Sequence, residues 1–279
     1  MAAAAALVAA VWVPGTAAAD PLWPAAAALA AVQKLPPTPN TAWGIDPATG
    51  RLTVTVSDAA PAVGVARLTA VARRFGDAVH VVRAAGPMDE QGLLSSDDGD
   101  GVLLGGDAMS DGKIICSVGF VVAKEGQQYV LTAGHCTAGL PAWQSIGPSV
   151  ASEFPGTDYG LVRDDEANAA GDVDLYDGTA QPITTVGEAT VGQRVCASGQ
   201  TTQVTCGQVT AVDETVDYGD GDVVRGLIAT NIHTDHGDSG GPLFAGSTGL
   251  GVVSGGDGDV DYFQPIAPAM EKYDLELPS

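Results

Sequence analysis

A chain of 279 residues with 45% apolar side chains is long enough to bury one large domain or two small ones, so core formation is not limiting. Its 37 glycines, with Val and Thr recurring in short runs, argue against a mostly helical protein and for a β-rich one. The formal net charge of −22 argues against nucleic acid or an anionic membrane as partner, because either surface would repel it.

Residues 1–19 are apolar and Ala-rich and end in small residues before Asp20, which is how an export signal and its cleavage site read. The segment is too short for a membrane span, although no Lys or Arg precedes its apolar run. Four cysteines, an even number in an exported chain, predict two disulfides rather than a metal site, and a secreted protein. Residues 20–102 form a separate unit. Its opening is Ala- and Pro-rich, and Pro36, Pro37 and Pro39 forbid a continuing helix, leaving linker or one short helix. Arg51 to Val56 alternates as a strand does, Ala62 to Arg74 has helical spacing, and Ala78 to Val82 is again strand-like. The polar, acidic stretch MDEQGLLSSDDGDG at 88–101 reads as a processing junction.

From residue 103 to residue 279, strand-like runs recur between Gly and Asp turns: CSVGFVVA, QYVLTA, DYGLV, QRVCA, CGQVTAV, GLIATN, GPLFAG and GLGVVSG. That rhythm predicts a β-barrel or sandwich, with one or two helical turns in the closing AMEKYDLELPS. Acidity separates the two units: residues 20–101 carry 6 basic and 9 acidic side chains, whereas residues 102–279 carry 6 and 25.

Chemistry concentrates at Gly237-Asp238-Ser239-Gly240-Gly241-Pro242. A serine in a glycine-lined turn lets a substrate carbonyl approach closely while backbone N–H groups point at the developing oxyanion. On its own the turn is equally a plain Gly-rich hairpin. The same residues match the nucleophile elbow G-x-S-x-G of α/β-hydrolases, in which a histidine follows the serine. Here His80, His135, His233 and His236 all precede Ser239, which excludes that esterase-type reading. His135, directly after the strand-like LTAG and beside Cys136, is the candidate base. Asp158 enters the apolar run YGLV rather than an acidic loop, and is the candidate carboxylate that orients the base.

LTAGHC, DYGLV and GDSGGPL, in that order, resemble the chymotrypsin superfamily, and within it the secreted bacterial alpha-lytic protease and streptogrisin type. The resemblance implies a mainly β fold, a chymotrypsin-like double β-barrel preceded by a small α/β pro-region. It implies cleavage near Val102 or Leu103, matched through LLGGDA, and a pro-region that aids folding and inhibits until it is removed. It places His135, Asp158 and Ser239 on the catalytic triad, the N–H groups of Gly237 and Ser239 on the oxyanion hole, and Ser254, Gly255 and Gly256 on the strand that pairs with substrate. It joins Cys116 to Cys136 and Cys196 to Cys206. Val253 gives a neutral pocket wall, suited to an apolar side chain at P1, the residue before the scissile bond. An inward-turned Asp257, Asp259 or Asp261 would instead favour Lys or Arg.

Two departures stand out. His233 occupies the place of a cysteine that relatives bridge beside the specificity pocket. Ala197 replaces an arginine that pairs with the aspartate before the nucleophile, so Asp238 needs another donor, for which Arg194 and His236 are the candidates. His233, Asp235 and His236 are read as loop residues rather than metal ligands. The Asp257-Gly258-Asp259 start of a calcium loop lacks its glycine at Tyr262 and its glutamate at Pro268, which excludes an EF-hand but not a looser site. The expectation is therefore a monomeric serine endopeptidase without cofactor or metal, acting on peptides and on its own pro-region. The alternative is an inactive binding homologue.

Overall fold

The computed structural model describes residues 23–47, 49–84, 88–90, 102–257 and 259–278. Residues 1–19, expected to be an export signal, and residues 91–101, within the expected processing junction, lie outside the described residues.

In the N-terminal unit the alternation of Arg51–Ser57 does what its period demands: Leu52, Val54 and Val56 are buried while Arg51, Thr53 and Thr55 are partly exposed. The helix Ala62–Phe75 presents Leu68 and Val71 to the same core, and Gly64 lets it approach the Thr38 side chain, with which a Cβ would collide. Val79–Ala84 then returns parallel to Arg51–Ser57, so these residues form a strand, helix, strand unit. A second helix, Trp23–Val32, contributes Ala25, Ala28 and Val32 to that core. One strand escapes the pattern reading. Thr41–Asp46 pairs antiparallel with Arg51–Ser57, but its TAWGID sequence is buried at four successive positions and so shows no alternation.

That strand is also where the two units join. Its other edge pairs with Gln203–Asp217 of the C-terminal domain, Thr41 opposite Asp217, Ala42 opposite Val216 and Trp43 opposite Thr215. One sheet therefore runs from the N-terminal unit into the C-terminal domain without a break. Gly44 lies against the Glu214 side chain, with whose carboxylate a Cβ would collide. Burial pushes Glu214 up to about 7, and the neighbouring Asp213 and Asp46 carboxylates add to the rise.

The C-terminal domain has two halves. In the first, Ala142–Trp143, Gly147–Glu153, Tyr159–Arg163, Gln127–Thr132 and Phe120–Lys124 form one antiparallel sheet. Met109, Val118, Val130, Trp143, Ile146 and Val162 pack against one another in this half. In the second, Arg194–Gly199, Pro242–Ala245, Thr248–Gly256, Asp261–Pro265, Val223–Thr230 and Gln203–Asp217 follow one another, and the last pairs back onto the first. Six strands thus close into a ring around Val195, Val209, Ile228, Leu243, Val253 and Phe263. Ala267–Tyr273 is the expected closing helix. Every strand-like run picked out by sequence contains a strand; Gly147–Glu153, Ala169–Asp174 and Asp261–Pro265 are the longest of the strands in this domain that lie outside those runs. All three carry polar or acidic residues within the strand, which breaks the apolar signal.

Candidate active site

The site lies between the two halves of the C-terminal domain, and each functional side chain is fixed by an element that continues into a core. Strand Gln127–Thr132 runs into a single helical turn, Gly134–Thr137, that carries His135. The turn is tied down on several sides. Cys136 is bonded to Cys116, and the Gly134 carbonyl accepts the Ser152 and Thr137 hydroxyls at 2.9 and 3.0 Å. The Phe154 ring meets the imidazole edge-on, with centroids 5.8 Å apart.

Asp158 stands just before strand Tyr159–Arg163 and is fully buried. Its Oδ1 accepts the backbone N–H of His135 at 2.8 Å, and its Oδ2 lies 2.9 Å from His135 Nδ1. Oδ2 also accepts the Ser254 hydroxyl at 2.6 Å, and Tyr218 donates to Ser254 Oγ at 3.1 Å. The Asp158 N–H is held by Gln264 Oε1 at 2.8 Å. A buried carboxylate with three donors is locked in rotamer and satisfied in charge, which suits it to orient a ring.

On the far side of the imidazole, His135 Nε2 lies 2.9 Å from Ser239 Oγ. The turn carrying Ser239 is held by the first half of the domain: Ser117 donates its N–H to the Ser239 carbonyl at 2.7 Å and its hydroxyl to the Gly237 carbonyl at 2.8 Å. Gly237 and Gly240 take φ of 101° and 82°, which only glycine adopts without strain. A Cβ at Gly240 would also strike Thr132 Oγ1. These contacts explain why glycines line the serine.

The geometry brings together His135, Asp158 and Ser239, and seats Gly237 next to Asp238 and Ser239 in the same turn. It treats the other candidate residues differently. Gly255 and Gly256 pair antiparallel with Glu90 and Asp89, so a peptide segment of the N-terminal unit lies along that strand. Ser254 turns its hydroxyl to Asp158, and Val253 is buried in the core of the second half. Both disulfides, Cys116 to Cys136 and Cys196 to Cys206, are present.

Asp238 corrects an expectation. Neither Arg194 nor His236 supplies its side chain; Arg194 is exposed on its strand. The carboxylate instead collects four uncharged donors: the N–H groups of Thr201 at 2.8 Å and Thr202 at 3.1 Å on Oδ1, and the Thr202 hydroxyl at 2.7 Å and Asp235 N–H at 2.9 Å on Oδ2. Backbone amides of the turn between Arg194–Gly199 and Gln203–Asp217 thus do what a cation was expected to do. Nothing in the sequence marks Thr201 and Thr202 for this, because they lie 37 and 36 residues from Asp238. Thr202→Val removes one donor from a buried carboxylate and is expected to lower unfolding stability by about 1.5–3 kcal/mol, measured by urea denaturation.

Cys116, His135 and Cys136 are close enough to hold a metal ion. Their sulfurs are joined to each other, so the thiolates that ligation needs are not available.

Comparison with known proteins agrees with this geometry. The alpha-lytic protease prodomain family matches residues 19–76, and the trypsin family matches residues 104–266. Streptogrisin-D of Streptomyces griseus is 42% identical over 252 residues, 86% of this chain. The chain spans 61% of that relative's length. Glutamyl endopeptidase 2 of Streptomyces griseus is 43% identical over 187 residues, 63% of this chain and 99% of the relative. A solved glutamic acid specific serine protease that uses a histidine triad in substrate binding superposes with a TM-score of 0.60 at 41% identity, covering 63% of this chain and all of its own.

Proposed function

The chain belongs to the trypsin family of serine proteases, with an alpha-lytic protease prodomain in front, and on that premise we propose that it is a secreted endopeptidase working through an acyl-enzyme on Ser239. The observation that carries the reading is the unbroken hydrogen-bonded line from Ser239 Oγ through His135 to Asp158. In this reading Ser239 Oγ attacks the peptide carbonyl as its proton passes to His135 Nε2, and the same nitrogen returns the proton to the leaving amine. Asp158, held by Ser254 and the His135 N–H, keeps the ring's proton on Nδ1 and stabilises the imidazolium. The Gly237 and Ser239 N–H groups receive the oxyanion. Water then attacks the acyl-enzyme by the same route.

The proposed organisation is a signal at 1–19, a pro-region at 20–102 and a monomeric protease domain at 103–279 that cuts itself free. Support comes from Asp89 and Glu90, which lie on the strand Gly255–Gly256 as a bound peptide would, only a short stretch of chain before residue 103. The test is incubation of the processed protein with a mixed peptide library, with cuts read by mass spectrometry and Ser239→Ala as control. Cuts that vanish in the control are the expected result. Correctly folded protein that cuts nothing would favour the inactive binding homologue instead.

An apolar P1 residue rests on the resemblance that makes Val253 a neutral wall, since Val253 itself packs in the core of the second half, and two observations oppose an acidic P1 despite the glutamyl relatives. Of four histidines, His80 lies in the N-terminal unit and His135 in the triad, which leaves only His233 and His236 where a substrate-binding triad of histidines needs three. Acidic groups also outnumber basic ones by 25 to 6 from residue 102 onward. A second reading, a cationic P1, is favoured by the fully buried Asp261.

Glu214 makes the pro-region's grip depend on pH. Its carboxyl is raised to about 7 while Gly44 and Asp46 cover it, so the bound state takes up a proton that the separated protease domain releases nearer the ordinary value of 4.5. Affinity is therefore full below about 4.5, falls as pH rises through about 7, and is level above that. Pro-region added to processed enzyme is expected to inhibit on the order of 10²-fold less tightly at pH 8 than at pH 4.5, and Glu214→Gln should remove most of that slope.

A further inference from the structure

Strand Leu103–Gly105 is docked on the C-terminal domain while the chain is still uncut. It pairs parallel with Ala169–Asp174, and the Leu103 side chain packs against the core of the first half. The Leu103 N–H donates to the Asn168 carbonyl at 2.9 Å, and the Leu104 N–H to Asp107 Oδ2 at 2.7 Å. Val102, one residue earlier, is 63% exposed, so the firm hold on this segment starts at Leu103. Asn168, whose carbonyl takes the Leu103 N–H, carries a second acceptor that is unused. Its side-chain Oδ1 is buried and has no hydrogen-bond partner among the described residues. The loop that presents Asn168 is fixed by the buried Asp164, which accepts the N–H groups of Glu166, Ala167 and Ala169 at 3.1, 2.9 and 3.3 Å. A shift of that backbone toward water would break these bonds, so the unpaired oxygen is held in place.

What Leu103 lacks for this acceptor is a second proton. As an amide its nitrogen carries one, already given to the Asn168 carbonyl. Hydrolysis of the Val102–Leu103 bond adds water across it: Val102 keeps a carboxylate, and the Leu103 nitrogen becomes an ammonium with three protons. Resting on the processing proposed above, we infer that Asn168 is a preformed binding site for the Leu103 α-ammonium, with its carbonyl and its Oδ1 as the two acceptors, and that cleavage at Val102–Leu103 completes the site. Hydrogen bonds from a charged donor are roughly twice as strong as neutral ones, so the new terminus is held more firmly than the amide it replaces. Asp107 on the Leu104 N–H and Asp164 on the Ala169 N–H each set a carboxylate one residue from the meeting pair, which favours a cation between them. Cleavage before Val102 would not do this. Leu103 would remain an amide with its single proton spent, and the ammonium would stand on the exposed Val102. The site thus chooses between the two processing positions and ties down the end that is made.

The test starts from the full chain, allowed to mature, with the product purified and inactivated by a sulfonyl fluoride to stop self-digestion. Its intact mass is expected to correspond to a start at Leu103. The α-amine is then challenged with 2-pyridinecarboxaldehyde, which labels α-amines and spares lysines. Labelling is expected on the order of 10²-fold slower than in a free peptide of the sequence LLGGDA. Asn168→Leu, which keeps the volume and removes the side-chain acceptor, is expected to speed labelling about tenfold. Asn168→Asp, which keeps the shape and adds a charge, is expected to slow it by about as much. Should Asn168→Leu fail to fold, Asn168→Asp decides the matter, since loss of structure cannot slow the reaction. A start at any other residue, labelling as fast as in the peptide, or a rate that Asn168→Asp leaves unchanged or raises overturns the inference while leaving the endopeptidase and its processing intact. An unaltered chain that stays at full length overturns both.

Discussion

Ser239→Ala is expected to leave the precursor uncut and to lower peptide hydrolysis by about 10⁵ to 10⁶-fold. The fold should survive, because the contacts that hold this turn are made by groups other than the Ser239 side chain. Ser117 bonds the Ser239 and Gly237 carbonyls, the Gly240 N–H bonds the Val253 carbonyl, and the Gly241 N–H bonds the Asp238 carbonyl. Among the described residues, the Ser239 side chain contributes a bond only to His135. The variant should therefore match the unaltered chain in circular dichroism and urea midpoint while accumulating at full precursor length. Maturation of purified Ser239→Ala precursor at the normal rate, with no other protease present, would overturn the triad assignment and self-processing together.

Asp158→Asn should cost on the order of 10⁴ in kcat/KM, nearly as much, although it changes no side-chain volume. The carboxylate accepts at both oxygens: the His135 N–H on one, the His135 ring and the Ser254 hydroxyl on the other. An asparagine has one accepting oxygen. If its NH₂ faces the backbone N–H, two donors oppose each other in a buried site. If it faces the ring, Nδ1 must become the acceptor, and Nε2 then carries the proton and cannot take one from Ser239. The first orientation is opposed by that buried clash, and the second, which relieves it, removes the base. Ser254→Ala tests the outer contact, since only one of the donors to Asp158 is lost, and about a tenfold fall is expected from a single hydrogen bond to a charged group. A fall with Ser254→Ala as large as with Asp158→Asn would show that ring orientation depends on Ser254 rather than on the carboxylate.

The two effects differ in how far they could be anticipated. Ser239 announces itself through neighbouring glycines, and its backbone requirement, positive φ at Gly237 and Gly240, is local. Asp158 was legible because an aspartate opening an apolar strand is conspicuous among solvated acids. The Ser254 hydroxyl was read as part of the substrate strand; its turn toward Asp158 depends on a register 96 residues away in sequence. Asp238 was the clearest miss. The absence of a cation beside it was legible at Ala197, but the sequence pointed to Arg194 or His236, whereas the donors are the amides and hydroxyl of Thr201 and Thr202. Backbone donors belong to every residue and leave no signature in composition.

The order of local signals, alternation in Arg51–Ser57, helical spacing in Ala62–Phe75, strand runs between Gly and Asp turns, and a histidine, an aspartate and a serine in that sequence, determined those elements and the kind of chemistry. These are short-range properties: side-chain period, φ freedom and residue type act within a few positions. Only the tertiary structure decided what crosses between elements. It paired Thr41–Asp46 with Gln203–Asp217, laid Asp89 and Glu90 on Gly255 and Gly256, supplied Asp238 with uncharged donors and buried Asp261 opposite Gly256. Sheet register and burial follow from packing the whole chain at once, and a carboxylate that faces water and one that is buried are the same letter until that packing is complete.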